Sequence, residues 1–327
     1  MRKKIMIIPY ICSFVGLLCP LVFFLVISSS KEPGITAQGF GIREYIGLNK
    51  STYSTLKGRN VTVAIVDSGI ESHNGIQKQR ILAFKDFVNG QKDFYDDYGH
   101  GTFIAGLIGS SGEVTGIAPK SNFVILKVLD NKGKTDESTL LNALNWISNN
   151  KDKYNIKVVN LSIGVENRIS APSDEDPIFK ILSKLKNQGI LVVCSSGNSG
   201  PAEGSILYPA MSKDVLTVGS VNNNRSLTIK DDKITISSSR GLNTSHSLKP
   251  DLVTLGVDIN SFDYKNPTGF TIGSGSSYSA AIVSGIATIL FEKFTNADTV
   301  KQILRENVVS LNGERTIDQG KGELYFK

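Results

Sequence analysis

Five short apolar-rich runs, at 61–66, 122–128, 157–162, 190–194 and 215–221, are set apart by intervals long enough to hold a helix. A strand that is apolar on both faces must be covered on both faces, and strands alternating with helices of about 10–15 residues mark βαβ units. The pattern predicts an α/β fold in three layers: a doubly wound, mostly parallel sheet with helices on both faces. The intervals agree with it. Leu140, Leu141, Leu144 and Ile147 recur at helical spacing behind Asp136, which predicts a capped helix over 137–150. Residues 178–187 read as a second helix ended by Gly189, with two more over 277–291 and 298–307. Residues 226–237, with Asp231-Asp232 between two apolar triplets, read as an antiparallel hairpin, and the polar stretch 165–177 as a surface loop.

Ahead of this pattern, residues 5–30 carry no charged side chain and 5–27 are almost wholly apolar. As a helix that run extends roughly 35 Å, against about 30 Å for a bilayer core. It is longer than the usual apolar region of a cleavable signal, about 7–15 residues, and offers only Ser28-Ser29-Ser30 as a cleavage site. The expectation is a transmembrane signal anchor over 5–28, with secretion after cleavage as the alternative. Arg2, Lys3 and Lys4 then hold residues 1–4 in the cytoplasm and everything beyond the membrane lies outside. Residues 29–50, mixing Gly, Pro and charge, read as a juxtamembrane linker, and 51–327 as the folded domain.

Cys12 and Cys19 lie in the anchor, leaving Cys194 alone in the exported part, so no intrachain disulfide framework is available there. The formal net charge of +6 includes that basic start. The remainder is close to neutral and has no Lys/Arg stripe, so no nucleic-acid partner is expected.

Chemistry-bearing residues fall at the ends of the predicted elements. Asp67 follows the first strand, at the edge of an open α/β sheet where sites are built. His100 sits between two glycines at the head of a helix-spaced run, and Ser277 lies in a Gly/Ser-rich turn feeding a small, apolar helix. Taken singly, each has a structural reading as a turn, a core histidine or a packed helix start. Together they offer a carboxylate, an imidazole and a hydroxyl, the set a weak hydroxyl nucleophile needs: a base in reach and a group to orient that base. Asn198, in a turn after the fourth strand, adds a side-chain amide able to donate to an oxyanion. A nucleophile elbow is excluded because Gly275-Ser276-Ser277-Tyr278-Ser279 lacks the second glycine, and a phosphate-binding loop because no lysine follows.

Eight stretches carry a family resemblance: VAIVDSGI, DDYGHGTFIAG, GIAPKSNFVILKVLD, VVNLSIG, LVVCSSGNSG, YPA, KPDL and GSSYSAAIVSG. In this order the chain resembles the subtilisin family (subtilases) of serine endopeptidases. The resemblance implies a subtilisin-like fold, with Ser277 as nucleophile, His100 as base, Asp67 as its orienter, and Asn198 with the Ser277 N–H as oxyanion hole. It further implies that Leu161, Ser162, Ile163 and Gly164 pair with an extended peptide or unfolded protein as an added strand. By the same resemblance these residues form one wall of the S1 cleft, which receives the residue on the acyl side of the scissile bond (P1), and Ser195, Ser196 and Gly197 form the other.

No cofactor is needed for such chemistry, and structural calcium, common in the family, has no assignable ligands here. With His100 as base, kcat/KM should rise with pH through an apparent pKa about 6–7. Three departures stand out. Phe103 replaces a frequent second histidine, Ala281 and Ile282 replace a frequent Pro and His, and KPDL is followed by an unusual loop. Only about 30 residues separate the membrane segment from Val61, where family members usually carry an inhibitory folding prosegment. The expectation is folding without one, or with a separate prosegment or inhibitor protein, and a role in maturing a particular peptide. A catalytically silent subtilase fold used for binding or scaffolding is the alternative.

Overall fold

The computed structural model describes residues 41–164, 175–224, 228–242 and 248–327. The strands begin with β1 (Thr62–Asp67), β2 (Ile81–Asp86), β3 (Asn122–Lys127), β4 (Ile156–Leu161), β5 (Leu191–Ser195), β6 (Leu216–Asn222) and β7 (Lys233–Ile234). Two antiparallel pairs, β8 (Gly241–Leu242) with β9 (Leu248–Lys249) and β11 (Ile259–Phe262) with β12 (Phe270–Gly273), flank β10 (Leu252–Leu255). The chain closes with β13 (Val308–Val309) and β14 (Glu323–Leu324). Among the described residues ten strands form one sheet in the order β13-β14-β10-β6-β5-β4-β1-β3-β2, with β7 added on β6. Its pairings are parallel except β13 with β14 and β7 with β6.

The helices are α1 (Ile42–Tyr45), α2 (His100–Gly109), α3 (Glu137–Tyr154), α4 (Pro177–Asn187), α5 (Ser276–Phe291), α6 (Ala297–Glu306) and α7 (Thr316–Gln319). Alternation along β1 shows how the layers form. Val63 and Ile65 point into one core with Ile104 of α2 and Ile282 of α5. Ala64 and Val66 point into the other with Leu144 of α3 and Leu182 of α4. The expected α/β architecture, a mostly parallel sheet covered on both faces, is therefore present. Strand β1 lies between β3 and β4, so the chain winds outward in two directions from it. The carboxyl ends of β1 and β4 lie at this switch point, the edge where doubly wound sheets build a binding crevice.

Caps set the helix limits. Asp136 accepts the Thr139 N–H at 2.8 Å, and α3 runs four residues past its expected end to a left-handed Asn155. Asp176 accepts the N–H groups of Ile178 and Phe179 at 2.8 and 3.1 Å, placing Pro177 at the start of α4. Residues 165–174 of the expected polar loop lie outside the described residues, as does the anchor over 5–28. No helix among the described residues is long and apolar enough to cross a membrane.

Two expectations are corrected. Among the described residues the expected 226–237 hairpin is absent: Ile229–Asp231 is a short 3-10 turn, and Lys233–Ile234 pairs instead with β6, Ile234 opposite Val221. The reason is Asp232, which is fully buried and receives the Tyr45 hydroxyl instead of sitting at a solvated turn. Residues 41–50, read as linker, are built into the domain. Tyr45, Ile46 and Leu48 are buried, the Tyr45 hydroxyl also donates to Glu323 Oε1 at 2.7 Å, and Arg43 donates to the Ile117 carbonyl at 2.6 Å.

Candidate active site

Asp67 ends β1 with its carboxylate wholly buried. Its Oδ1 accepts the Ser68 N–H at 2.7 Å, and both oxygens lie 2.9 Å from Nδ1 of His100. A carboxylate only accepts, so Nδ1 carries the proton and Nε2 of the neutral ring is left as an acceptor. Burial opposes charging of this ring, but the charge and hydrogen bond of Asp67, with the charge of Asp96, outweigh it. The His100 pKa is therefore raised above the ordinary imidazole value.

The local sequence fits this placement closely. Gly99 is left-handed (φ 96°), and a Cβ there would stand 2.2 Å from the Tyr264 ring; one on Gly101 would stand 2.2 Å from the Gly69 carbonyl oxygen. The residue between them is held against β1 by backbone contact that larger neighbours would prevent. Asp96 fixes the same helix start, accepting from the N–H groups of Gly99 (2.7 Å) and Thr102 (2.9 Å). Ser68 Oγ accepts the Gly101 N–H at 2.9 Å. Beneath, the fully buried Lys127 ammonium donates to the carbonyls of Ser68 and Leu129 at 2.7 and 2.8 Å and to Asp97 at 2.5 Å. Sequence reading singled out none of Asp96, Ser68 or Lys127. Asp96 three residues ahead of Gly99 was the one available signal, as a candidate cap.

Ser277 is the one residue of α5 that is not buried. Its hydroxyl donates to the Ser162 carbonyl at 3.1 Å, and Ser162 Oγ donates back to the Ser277 carbonyl at 3.0 Å. The His100 ring lies beside the same helix turn, 5.9 Å between centroids from Tyr278. Asn198 Oδ1 accepts the Ser276 N–H (3.0 Å) and hydroxyl (3.1 Å). A backbone N–H must meet an oxygen, so the amide orientation is fixed and Nδ2 is presented at the mouth of the crevice, where Asn198 is exposed. Asp67 is thus bonded to His100, and Asn198 to the turn that bears Ser277, whose own hydroxyl is turned to Ser162.

The side chains of Leu161, Ile163, Ser195 and Ser196 are buried, and Ser162 is turned to α5. The two segments therefore face the crevice mainly with backbone and with Gly164 and Gly197. Phe103 packs on the Tyr278 ring, 4.4 Å between centroids, which accounts for an apolar residue at that position. The KPDL stretch is held by a buried ion pair: Lys249 Nζ meets Asp251 Oδ2 at 2.7 Å, and the same oxygen accepts the Thr217 N–H at 2.9 Å. Among the described residues, no three His, Cys, Asp or Glu side chains gather where they could hold a metal ion. The described residues therefore offer no carboxylate-rich cage for calcium.

Comparison with known proteins agrees with this geometry. The family model described as Subtilase family matches residues 58–322. Serine protease AprX of Bacillus subtilis (strain 168) is 33% identical over 273 residues, covering 77% of this chain and 62% of its own length. The human protein named Membrane-bound transcription factor site-1 protease is 31% identical over 279 residues, covering 82% of this chain and 24% of its own length. The chain thus spans less than two thirds of the length of either relative. Among solved structures, Sphericase superposes with a TM-score of 0.72 over 88% of this chain and 98% of that one, at 21% identity, a likeness of fold. On the match of 58–322, which takes in β1, α2, β5 and α5, the chain belongs to the subtilase family.

Proposed function

We propose that this protein is a serine endopeptidase that cuts extended peptide segments, with Ser277 as nucleophile, His100 as general base and then acid, and Asp67 as orienter. The observation that carries this reading is the buried Asp67 carboxylate at 2.9 Å from Nδ1 of His100, beside the turn of α5 whose one unburied residue is Ser277. Ser277 Oγ attacks the scissile carbonyl as His100 Nε2 takes its proton. The tetrahedral oxyanion is met by Asn198 Nδ2 and the Ser277 N–H, and the imidazolium returns the proton to the leaving amine. Water then hydrolyses the acyl-enzyme by the same route. Ser162–Gly164 pairs with the substrate backbone, so flexible or unfolded segments are cut in preference to rigid domains. The apolar run over 5–28 and the basic residues 2–4 support a membrane-anchored enzyme acting outside the cytoplasm. A restrictive cleft would suit maturation of particular peptides over bulk digestion.

A fluorophosphonate probe tests the reading directly: it is expected to label Ser277 of the purified protein, identified by peptide mass. No label under conditions that modify an active subtilase would refute it.

Two further outcomes follow from the electrostatics. Chemistry needs neutral His100, and its pKa is raised, so kcat/KM should climb with pH on a limb centred above about 6.5. The charged ring stabilises the folded site most below about pH 6.5, and that contribution fades as pH rises through the raised pKa. Activity is therefore gained in the window where this contribution is lost. A rate constant between pH 5 and 8, measured on a short peptide, would remove His100 as base. Asn198→Ala should lower kcat by about 10²–10³ with KM little changed, a magnitude carried over from the corresponding asparagine of subtilisin. A variant that raises KM while keeping kcat would take Asn198 out of the oxyanion hole.

A further inference from the structure

Strands β4 and β5 lie side by side, Leu161 opposite Cys194. Beyond their carboxyl ends, the segments Ser162–Gly164 and Ser196–Gly197 run on either side of the start of α5. Ser277 Oγ touches the Ser162 carbonyl at 3.1 Å, and the Gly197 N–H reaches Ser276 Oγ at 3.2 Å. A peptide whose carbonyl carbon meets Ser277, with its oxygen toward Asn198, must send the side chain of its acyl-side residue into the gap between these two segments.

That gap is already filled. Leu207, anchored by its own N–H to the Ser196 carbonyl at 3.0 Å, lays its side chain across it. A Cβ built on Gly164 would stand 3.0 Å from Leu207 Cδ1, and one on Gly197 would stand 2.5 Å from Leu207 Cγ. One side chain thus abuts both walls. The remaining close atom at Gly197 is the Ser239 hydroxyl oxygen, which already accepts the Ser199 N–H at 2.9 Å. Leu207 is half-buried, so its outer face is open to the cleft.

We infer that Leu207 is the specificity-determining residue, forming a high, apolar floor that admits only small neutral P1 side chains: Gly, Ala or Ser. The inference rests on the proposed peptidase reading, with Ser277 as nucleophile. A phenylalanine at P1 would have to push Leu207 out of contact with two backbone segments in a closely packed region, where added volume is strongly resisted. An arginine would bring its charge against a leucine, since the nearest described atoms at the two glycines belong to Leu207 and to the Ser239 hydroxyl. Pocket discrimination by a single methylene is worth about 10–200-fold, and exclusion of a whole ring falls at the upper end of that range or beyond.

The test is kcat/KM for peptides identical except at P1 (Ala, Ser, Phe, Arg), on wild type, Leu207→Gly and Leu207→Ala. Wild type should prefer Ala over Phe and over Arg by at least about 10-fold, and Leu207→Gly should raise the Phe/Ala ratio by at least about 10-fold, with Leu207→Ala between. Wild type that cuts the Phe peptide as fast as the Ala peptide overturns the inference, with no variant needed. So does a folded Leu207→Gly with an unchanged ratio. Fluorophosphonate titration of each sample separates the two levels. Absent labelling of Ser277 refutes the peptidase reading and this inference with it; full labelling with the wrong P1 profile refutes only the role of Leu207.

Discussion

Asp67→Asn should lower kcat by about 10⁴-fold near neutral pH while leaving KM and the fold nearly unchanged. The size comes from a tautomer. The Ser68 N–H donates to Oδ1 at 2.7 Å and needs an oxygen there, so in the variant the asparagine NH₂ must take the place of Oδ2. That position lies 2.9 Å from His100 Nδ1, the same distance as Oδ1, so the new donor opposes the Nδ1 proton that both oxygens accept in the wild type. Facing a donor, Nδ1 becomes the acceptor and the ring proton moves to Nε2, which can then no longer take the proton of Ser277. Substrate contacts are untouched, so the loss should fall on kcat. Steady-state kinetics checks this, with thermal unfolding measured alongside to confirm that the buried amide is tolerated. A loss under about ten-fold would show that Asp67 does not set the tautomer.

Ser277→Ala should reduce turnover by more than about 10⁴-fold, a scale known from subtilisin itself, and should still bind substrate peptides. Among the described residues the hydroxyl bonds to the Ser162 carbonyl alone, at 3.1 Å, on the one unburied residue of α5, so stability should change by no more than about 1 kcal/mol. The pairing of lost turnover with retained binding separates a peptidase from a binding protein. Equal binding by wild type and variant, with no cleavage by either, would favour the silent alternative; cleavage by the variant within ten-fold of wild type would place the nucleophile elsewhere.

Strands buried on both faces could be read because their side chains are mostly apolar: β1, β3, β4, β5 and β6 all stood out as apolar-rich runs. Edge strand β2 did not, since Leu82 and Lys85 are exposed and its pattern is broken. The β11–β12 pair is rich in Ser, Thr, Asn and Gly, which suit a strand, a turn or a loop equally. Asp232 misled because an Asp-Asp pair ordinarily marks a solvated turn, and only the fold brings Tyr45 and Glu323 to it. The proposed reacting groups were legible for a different reason: each falls at or near the end of an element, and together they make up the set a hydroxyl nucleophile needs. The groups that position them, Asp96, Ser68 and Lys127, act through distances that a sequence does not contain. Leu207 is ordinary as a sequence position, and its meaning comes from the two glycines it touches.

Tyr45 has consequences for the order in which the molecule can be completed. It donates to Glu323 on β14, and the Phe326 N–H reaches the Ile46 carbonyl at 2.8 Å, so the earliest described helix is seated by residues far along the chain. Synthesis runs from the N-terminus, and domains that fold during synthesis do so from that end. Here the seat for residues 42–48 does not exist until β14 has been made. Tyr45 and Glu323 are 278 positions apart, so this first segment stays unlatched while nearly all of the sheet is synthesised.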